Sequence, residues 1–393
     1  MTDERALVAR APVRISFGGG GTDLAAYYER FGGLVVSAAI DCYCHVVAAD
    51  AARGGLEIES ADYCTSVSFP RGTTPTVDEP LVLPRAALEW FYDRDLGERG
   101  VALHLSAQVP PGTGLGSSSA MAVALVAALA ARRGQVLDPA ALAELASWLE
   151  IERLGMPVGK QDQYASAFGG LNAIELAADG VRVRPIRLAP SVVAALEERL
   201  LLFATGQSRQ SATILRQQQA DTGSDPVVTK ALHRLKGLAA EMVAALRRAD
   251  LDGFGRLLDD GWQHKKRLSP RVSSAAIDDW YEAARAAGAL GGKLSGAGGG
   301  GFLLLYCPPS AQRAVRSALA GCGLRELPFA FDFGGARVQA ARAPLRTLGT
   351  AARHAQAAAR CSRARREADA PNGAAARQTL TSLLAGPCAP SGG

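Results

Sequence analysis

The sequence has little to offer a metal cage. Its five histidines are not clustered, and its seven cysteines, at 42, 44, 64, 307, 322, 361 and 388, include no CxxC pair. A structural zinc site needs about four ligands at suitable spacing, which excludes zinc as an organising element. The odd, scattered cysteines read as reduced thiols, not as a disulfide framework. No run of about 18 apolar residues is present to span a bilayer. The longest candidate, Ala120–Ala131, is short and alanine-rich and reads as a buried helix. The opening MTDERALVAR is charged and lacks the apolar core of a signal peptide. These absences predict a soluble cytoplasmic protein. No internal repeat is apparent.

A strong charge of either sign is also missing. Over 393 residues, 43 Lys and Arg face 38 Asp and Glu, a net +5. The whole excess lies in residues 343–393, with seven Arg and two acids; residues 1–342 balance at 36 of each. A neutral body lacks the basic bias of a nucleic-acid-binding domain. With 48% apolar and 21% charged residues, the chain is not disordered throughout, collagen-like or a disulfide mini-domain. Its length predicts a large core split into two domains. Residues 343–393 hold 15 Ala among 51 residues and almost no aromatics, so a disordered or loosely helical tail is expected there.

What the body does contain is strands mixed with long helices. Residues 34–49 are rich in β-branched and small side chains, and 56–69 alternate like a sheet edge. Helices are predicted from 84 to 93, 119 to 133, 139 to 154, 227 to 248, 250 to 262 and 273 to 287. Asp138 should cap the third of these, with Pro139 in its first turn. Strands are predicted at 101–108, 171–176, 181–188, 199–205 and 302–307, and a linker near 188–191. This mixture argues for an α+β or α/β protein.

Three glycine-rich segments carry the chemistry. The first, Arg14-Ile-Ser-Phe-Gly-Gly-Gly-Gly-Thr-Asp23, follows a strand and permits close backbone approach to a ligand. Asp23 can accept hydrogen bonds from sugar hydroxyls. The second, from Pro110 to Ser119, runs straight into an apolar helix. Unpaired N–H groups at such a helix start suit nucleotide phosphates. Its glycines, 112, 114 and 116, are too closely spaced for the dinucleotide fingerprint, and no Gly-Lys-Ser/Thr makes a Walker loop. The third, Lys293 to Phe302, has more glycines than one turn needs.

In this order the segments resemble the GHMP small-molecule kinases. The middle one matches their P-x-x-x-G-L-G-S-S-x-A signature, and the resemblance covers about residues 8–340. FGGGGTD, GKQDQYASAFGGLN, TGQSRQSATIL and GGKLSGAGGGGF are similar to the D-glycero-D-manno-heptose 7-phosphate kinases. The resemblance implies an α+β GHMP kinase two-domain fold. Residues 1–190 would be similar to domain 2 of ribosomal protein S5 and 191–342 would be ferredoxin-like, with the tail at 343–393 outside.

The resemblance also implies roles. ATP and Mg2+ are the expected cofactors. Pro110, Gly112, Gly114, Leu115, Gly116, Ser117, Ser118 and Ser119 would serve ATP, together with Gly296 and Gly298. Ser118 and Glu150 would hold Mg2+, with Ser119 and Glu152 as rivals. Asp162 would be the general base, paired with Arg14; an adjacent cation favours the proton-accepting form of a carboxylate. Gly19, Gly20, Gly21, Thr22 and Asp23 would meet the sugar. Gly20 and Gly21 stand where galactokinases have Glu-His, which counts against galactose. A distal phosphate needs a cation: Arg209 first, with Lys160, Lys265 and Lys266 as alternatives. The implied partner is a sugar phosphate, without nucleic acid or membrane, and a homodimer is compatible with it. The implied reaction is phosphorylation of the C1 hydroxyl of a heptose 7-phosphate in nucleotide-activated heptose synthesis. An L-fucose or hexose kinase is the alternative within the family, and a silent sugar or nucleotide sensor the alternative outside it.

Overall fold

The computed structural model describes residues 6–51, 54–73, 81–92, 100–206 and 211–341. The tail expected at 343–393 and Arg209 lie outside them. Leu7–Ala340 form one compact unit.

The first half is built on long strands. Strands β1 (Ala6–Gly18) and β2 (Gly33–Ala49) pair antiparallel, with the short helix α1 (Ala25–Phe31) between them. The segment read as one sheet edge over 56–69 is a hairpin of β3 (Leu56–Ser60) and β4 (Thr65–Phe69). Cys64, at a left-handed φ of 49°, makes the reversal that interrupts the alternation. Helix α2 (Val82–Tyr92) leads to β5 (Val101–Ala107), which joins β2 antiparallel and β3 parallel. Then come α3 (Ser117–Arg132), α4 (Pro139–Trp148) and a π-helical turn (Leu149–Arg153). Helix α5 (Gln161–Phe168) precedes β6 (Leu171–Ala177) and β7 (Gly180–Pro185). Asp138 caps α4 by accepting the Ala141 N–H at 2.8 Å, with Pro139 in the first turn, as the sequence predicts.

In the second half, the expected linker near 188–191 gives way to α6 (Pro190–Arg199), with Pro190 in its first turn, followed by β8 (Leu200–Ala204). Helices α7 (Ser211–Asp221), α8 (Pro226–Arg247), α9 (Leu251–Lys265) and α10 (Ala275–Ala286) follow. Strands β9 (Gly291–Leu294) and β10 (Phe302–Tyr306), helix α11 (Gln312–Gly321), β11 (Arg325–Glu326) and β12 (Arg337–Ala341) are the last elements among the described residues. The large sheet runs β12-β1-β2-β5-β3-β4, with β6 and β7 branching from β2; the small antiparallel sheet runs β11-β8-β10-β9.

Four apolar clusters hold these layers, the smallest packing Tyr27 of α1 against Leu232 and Leu235 of α8. One packs the large sheet, through Val46, Ile58 and Leu103, against α3, through Val126 and Leu129. Helix α3 is buried on nearly every side, which accounts for its all-round apolar sequence. A second core joins the sheets, with Ile15 and Ile40 meeting Leu202, Met242 and Phe254. Trp262 and Tyr281 fill a third beside the small sheet. The core shared by the two sheets brings loops from both halves together, the third glycine loop packing on Gly114. Among the described residues no helix is long and apolar enough to cross a membrane.

Candidate active site

The glycine loop after β1 is shaped by crowding. The β1–β2 register shifts between Ser16 and Gly18, which releases the chain from the sheet. At Gly19, φ is 78° and a Cβ would lie 1.8 Å from the Leu34 carbonyl oxygen, so only glycine fits. Thr22 is fully buried; its Oγ1 donates to the Gly19 carbonyl at 2.7 Å and accepts from Leu34 N–H at 3.1 Å. Gly19 and Thr22, expected to meet the sugar, therefore pin the loop and do not line the cavity. Gly20, Gly21 and Asp23 do line it. Asp23 is buried and accepts the Gly21 N–H at 2.8 Å. Burial, then the nearby Asp162 charge, pushes its carboxyl above the usual range. Gly159 is needed beside it, because a Cβ there would lie 2.0 Å from Asp23 Oδ2.

Arg14 and Asp162 come together from positions 148 residues apart. Arg14 Nε donates to Asp162 Oδ1 at 2.7 Å and its Nη2 to Oδ2 at 2.6 Å, a two-pronged pair. The remaining Nη1 donates to the Gly114 carbonyl at 2.7 Å, which ties the pair to the middle glycine loop. Gly116, at φ 76°, closes over it; a Cβ there would lie 3.0 Å from Asp162 Oδ2.

The middle loop ends on α3, whose N-terminal Gly116 supplies no side-chain cap. The first-turn N–H groups of Ser117–Ser119 are thus available to an anion. Gly112, Gly114, Gly116 and the three serines line the cavity. Two expected ATP contacts do not. The Leu115 side chain is fully buried in the core between the sheets, and its carbonyl accepts Arg14 N–H at 2.9 Å. The Pro110 carbonyl is taken by Thr113 Oγ1 at 2.7 Å, which closes the turn. From the third segment Gly296 reaches the cavity, its would-be Cβ 2.5 Å from Gly114 Cα. Gly298 instead faces Val272, whose carbonyl oxygen is 2.7 Å from its would-be Cβ.

Ser118 Oγ donates to Glu150 Oε1 at 2.6 Å, and Gln163 Nε2 donates to Oε2 at 2.7 Å. Glu150 sits in the π turn, fully buried, and burial pushes its carboxyl up against the pull of those hydrogen bonds. Glu152 is exposed, so the two acids do separate as the sequence requires, with Glu150 the inner one. No group of three or more acids, His or Cys stands together among the described residues. An all-oxygen donor set with one buried carboxylate suits Mg2+, which takes one or two protein ligands and completes its shell with phosphate and water.

The cations sort differently from expectation. Lys160 Nζ is held by Glu144 at 2.9 Å and does not line the cavity. Lys266 pairs with Asp278 at 3.4 Å and lies over the Trp262 ring. Lys265 does line the cavity; its buried Nζ donates to the carbonyls of Gly296 and, at 3.4 Å, Leu294. Burial and then Arg14 push its pKa down to about 8. Lys293, which the sequence reading passed over, is buried nearby and also pushed well down by burial. Sequence reading also missed Ser16, Gln161 and Gln218, all buried on the cavity wall. A second cavity of about 280 Å³ shares Ser117 and Ser118 with the first, and is walled mainly by apolar groups such as Leu81, Leu83 and Met121.

An apolar pocket, an uncapped helix start and a carboxylate–guanidinium pair, in that order, describe a phosphotransferase for small molecules. The comparisons agree. The models of the GHMP kinases N terminal domain and GHMP kinases C terminal match residues 83–170 and 242–323. The D-glycero-alpha-D-manno-heptose 7-phosphate kinase of Campylobacter jejuni is 32% identical over 315 residues, 79% of this chain and 92% of that one. The L-fucokinase/L-fucose-1-P guanylyltransferase of Bacteroides fragilis is 28% identical, over 79% of this chain but 35% of that one. The crystal structure of a D-glycero-D-manno-heptose 1-phosphate kinase from Bacteroides thetaiotaomicron superposes with a TM-score of 0.71 at 29% identity, covering 85% of this chain and 98% of that one. The chain belongs to the GHMP kinase family, with its two-domain α+β fold, and is an ATP-dependent phosphotransferase.

Proposed function

We propose that the protein is a sugar kinase that phosphorylates the C1 hydroxyl of D-glycero-D-manno-heptose 7-phosphate, giving the 1,7-bisphosphate for nucleotide-activated heptose synthesis. The observation that carries this is the two-pronged Arg14–Asp162 pair, facing a cavity where Asp23 and the middle glycine loop converge. The heptose identity rests on the relatives named above. The domain boundaries proposed are 1–190 and 191–342, with the small sheet wholly in the second half and β12 returning from it to the edge of the large sheet. A cytoplasmic location, a homodimer and the absence of nucleic-acid and membrane partners are proposed with it.

The chain's own groups supply the steps. The N–H groups of Ser117–Ser119 and the glycines of the middle and third loops bind the phosphates of ATP. The apolar second cavity receives the base. Asp23 holds sugar hydroxyls beside Asp162. Asp162 takes the proton of the C1 hydroxyl as its oxygen attacks the terminal phosphorus of ATP and ADP leaves. Arg14 aims the carboxylate by gripping both its oxygens. Ser118 and Glu150 would hold Mg2+, which neutralises charge on the transferring phosphoryl group. Lys265 adds positive charge at the loops' junction. For the distal phosphate, Arg209 remains the proposed partner, since Lys160 is occupied by Glu144.

The test is ADP release with Mg·ATP over free heptose, heptose 7-phosphate, heptose 1-phosphate, L-fucose and hexoses. Turnover preferring heptose 7-phosphate supports the proposal. Preference for free heptose or L-fucose rejects the distal phosphate, and no turnover on any sugar rejects the sugar-kinase reading.

A further inference from the structure

Buried polar atoms are almost always paired, and each orphan asks for a partner the protein itself does not supply. Three stand on the wall of the catalytic cavity. Ser16 Oγ, Gln161 Oε1 and Gln218 Nε2 are buried and have no hydrogen-bond partner among the described residues. They come from β1, the first residue of α5, and α7, so no single turn explains them.

All three gather at the Asp23 end. The Gln161 backbone N–H donates to the Asp23 carboxylate. A Cβ at Gly20 would lie 3.8 Å from Ser16 Oγ, and one at Gly21 only 2.2 Å from Gln218 Nε2. The missing side chain at Gly21 is thus the space that the Gln218 amide fills. The groups suited to phosphate come from other elements, the start of α3 and the third glycine loop, which packs on Gly114.

Resting on the sugar-kinase reading, we propose that Ser16, Gln161 and Gln218 read the hydroxyl groups of the phosphoryl acceptor, and that Gln218 is the specificity-determining member. The chemistry of the set favours this ligand class. Ser16 gives and accepts, the Gln161 carbonyl accepts, and the Gln218 amide gives two N–H bonds. The set itself holds no cation and matches neutral hydroxyls, while the buried Lys293, which donates to the Phe17 carbonyl at 3.4 Å, and Lys265 stand close enough to Asp23 for their charges to couple with it. A polyol therefore enters with its hydroxyl-bearing face toward Ser16, Gln161 and Gln218. An acceptor lacking a read hydroxyl leaves a buried polar group unpaired and is discriminated against strongly.

The atoms differ from structural hydrogen bonds in one measurable respect. Removing an orphan costs the unliganded fold nothing in pairing, and relieves the penalty of burying it. Ser16→Ala and Gln218→Met are therefore expected to leave the Tm of the free protein unchanged or raised. At the same time each should raise the KM of whichever sugar the wild type turns over by about tenfold, a lost hydrogen bond's worth. The KM of ATP should stay within about twofold in both. Gln218→Asn, which keeps the amide, should fall between. A sugar KM unchanged in both variants overturns the inference while wild-type turnover keeps the sugar-kinase reading intact. A lowered Tm with parallel losses for sugar and ATP also overturns it, in favour of a structural role. No wild-type turnover on any sugar overturns the function and the inference together, and is read before any variant is made.

Discussion

At the scale of single residues, the site is a problem of keeping unlike charges useful while buried. Asp162 is gripped by Arg14 on both oxygens, so it is aimed as well as charged. Asp162→Asn keeps the shape and removes the proposed proton acceptor. Turnover should fall by about a hundred- to ten-thousand-fold, while ATP still binds by calorimetry; near wild-type turnover would remove Asp162 from its role. Lys265 answers to pH. The groups facing it are Arg14, Asp23 and Asp162, with Lys293 behind, and its pKa lies near 8 against an ordinary 10.5. Its charge is present below about 8 and lost above, so kcat/KM for ATP should decline as pH rises through that value. Stability runs the other way. The unfolded chain holds the proton up to 10.5, so the cost of burying the charge is full below about 8 and fades between the two values. Lys265→Met should flatten both the decline in kcat/KM and the rise in Tm. A decline that persists in the variant assigns it to another group. These residues show what a sequence makes legible. Arg14, Asp23 and Asp162 stand in motifs. Ser16, Gln161 and Gln218 do not, because an orphaned atom is defined by neighbours from three distant segments, and nothing in a local pattern records a missing partner.

At the scale of elements, the decisive feature is the π turn that extends α4. Helical periodicity shows only that Glu150 and Glu152 cannot share a face. Which one turns inward depends on a widened turn that hydrophobic spacing does not encode, and such turns often mark functional positions. The structure buries Glu150 and exposes Glu152. The strongly periodic helices α8 and α10 are readable for the opposite reason: each buries a continuous apolar face. Helix α7 was not, since its sequence, SATILRQQQAD, is mostly polar, and Gln218 went unread with it. The π turn yields its own prediction. Glu150 is fully buried with no cation beside it among the described residues, held by Ser118 and Gln163, and burial disfavours its ionised form. Glu150→Gln can accept from Gln163 and donate to Ser118, so it keeps the contacts and removes the group that burial disfavours when ionised. Tm should rise by about 2 °C or more, while turnover falls steeply and loses its dependence on Mg2+ concentration. A variant with full Mg2+-dependent turnover, or a lowered Tm, would show that Glu150 is held for structure alone.

At the scale of the whole molecule, the balance of charge says where attraction for the substrates arises. Residues 1–342 carry 36 basic and 36 acidic side chains, while the surplus of five sits in 343–393. ATP and the proposed sugar phosphate are both anions, and a neutral body gives them no long-range pull. Their binding has to come from within the cavity: the α3 start, Lys265, and whatever cation meets the distal phosphate. Charges buried at that range are screened much less by salt than exposed ones. Raising KCl from about 50 to 200 mM should therefore change kcat/KM by less than about threefold, where a strongly steered enzyme would lose far more. Every residue assigned a role above lies between residues 7 and 340, the span of the compact unit. Truncation after residue 342 should accordingly leave kcat and both KM values within about twofold, and the salt response unchanged. A truncated enzyme whose KM for ATP rises several-fold, and whose lost affinity in the full chain is itself salt-sensitive, would instead show that the basic tail steers anions to a body that cannot attract them unaided.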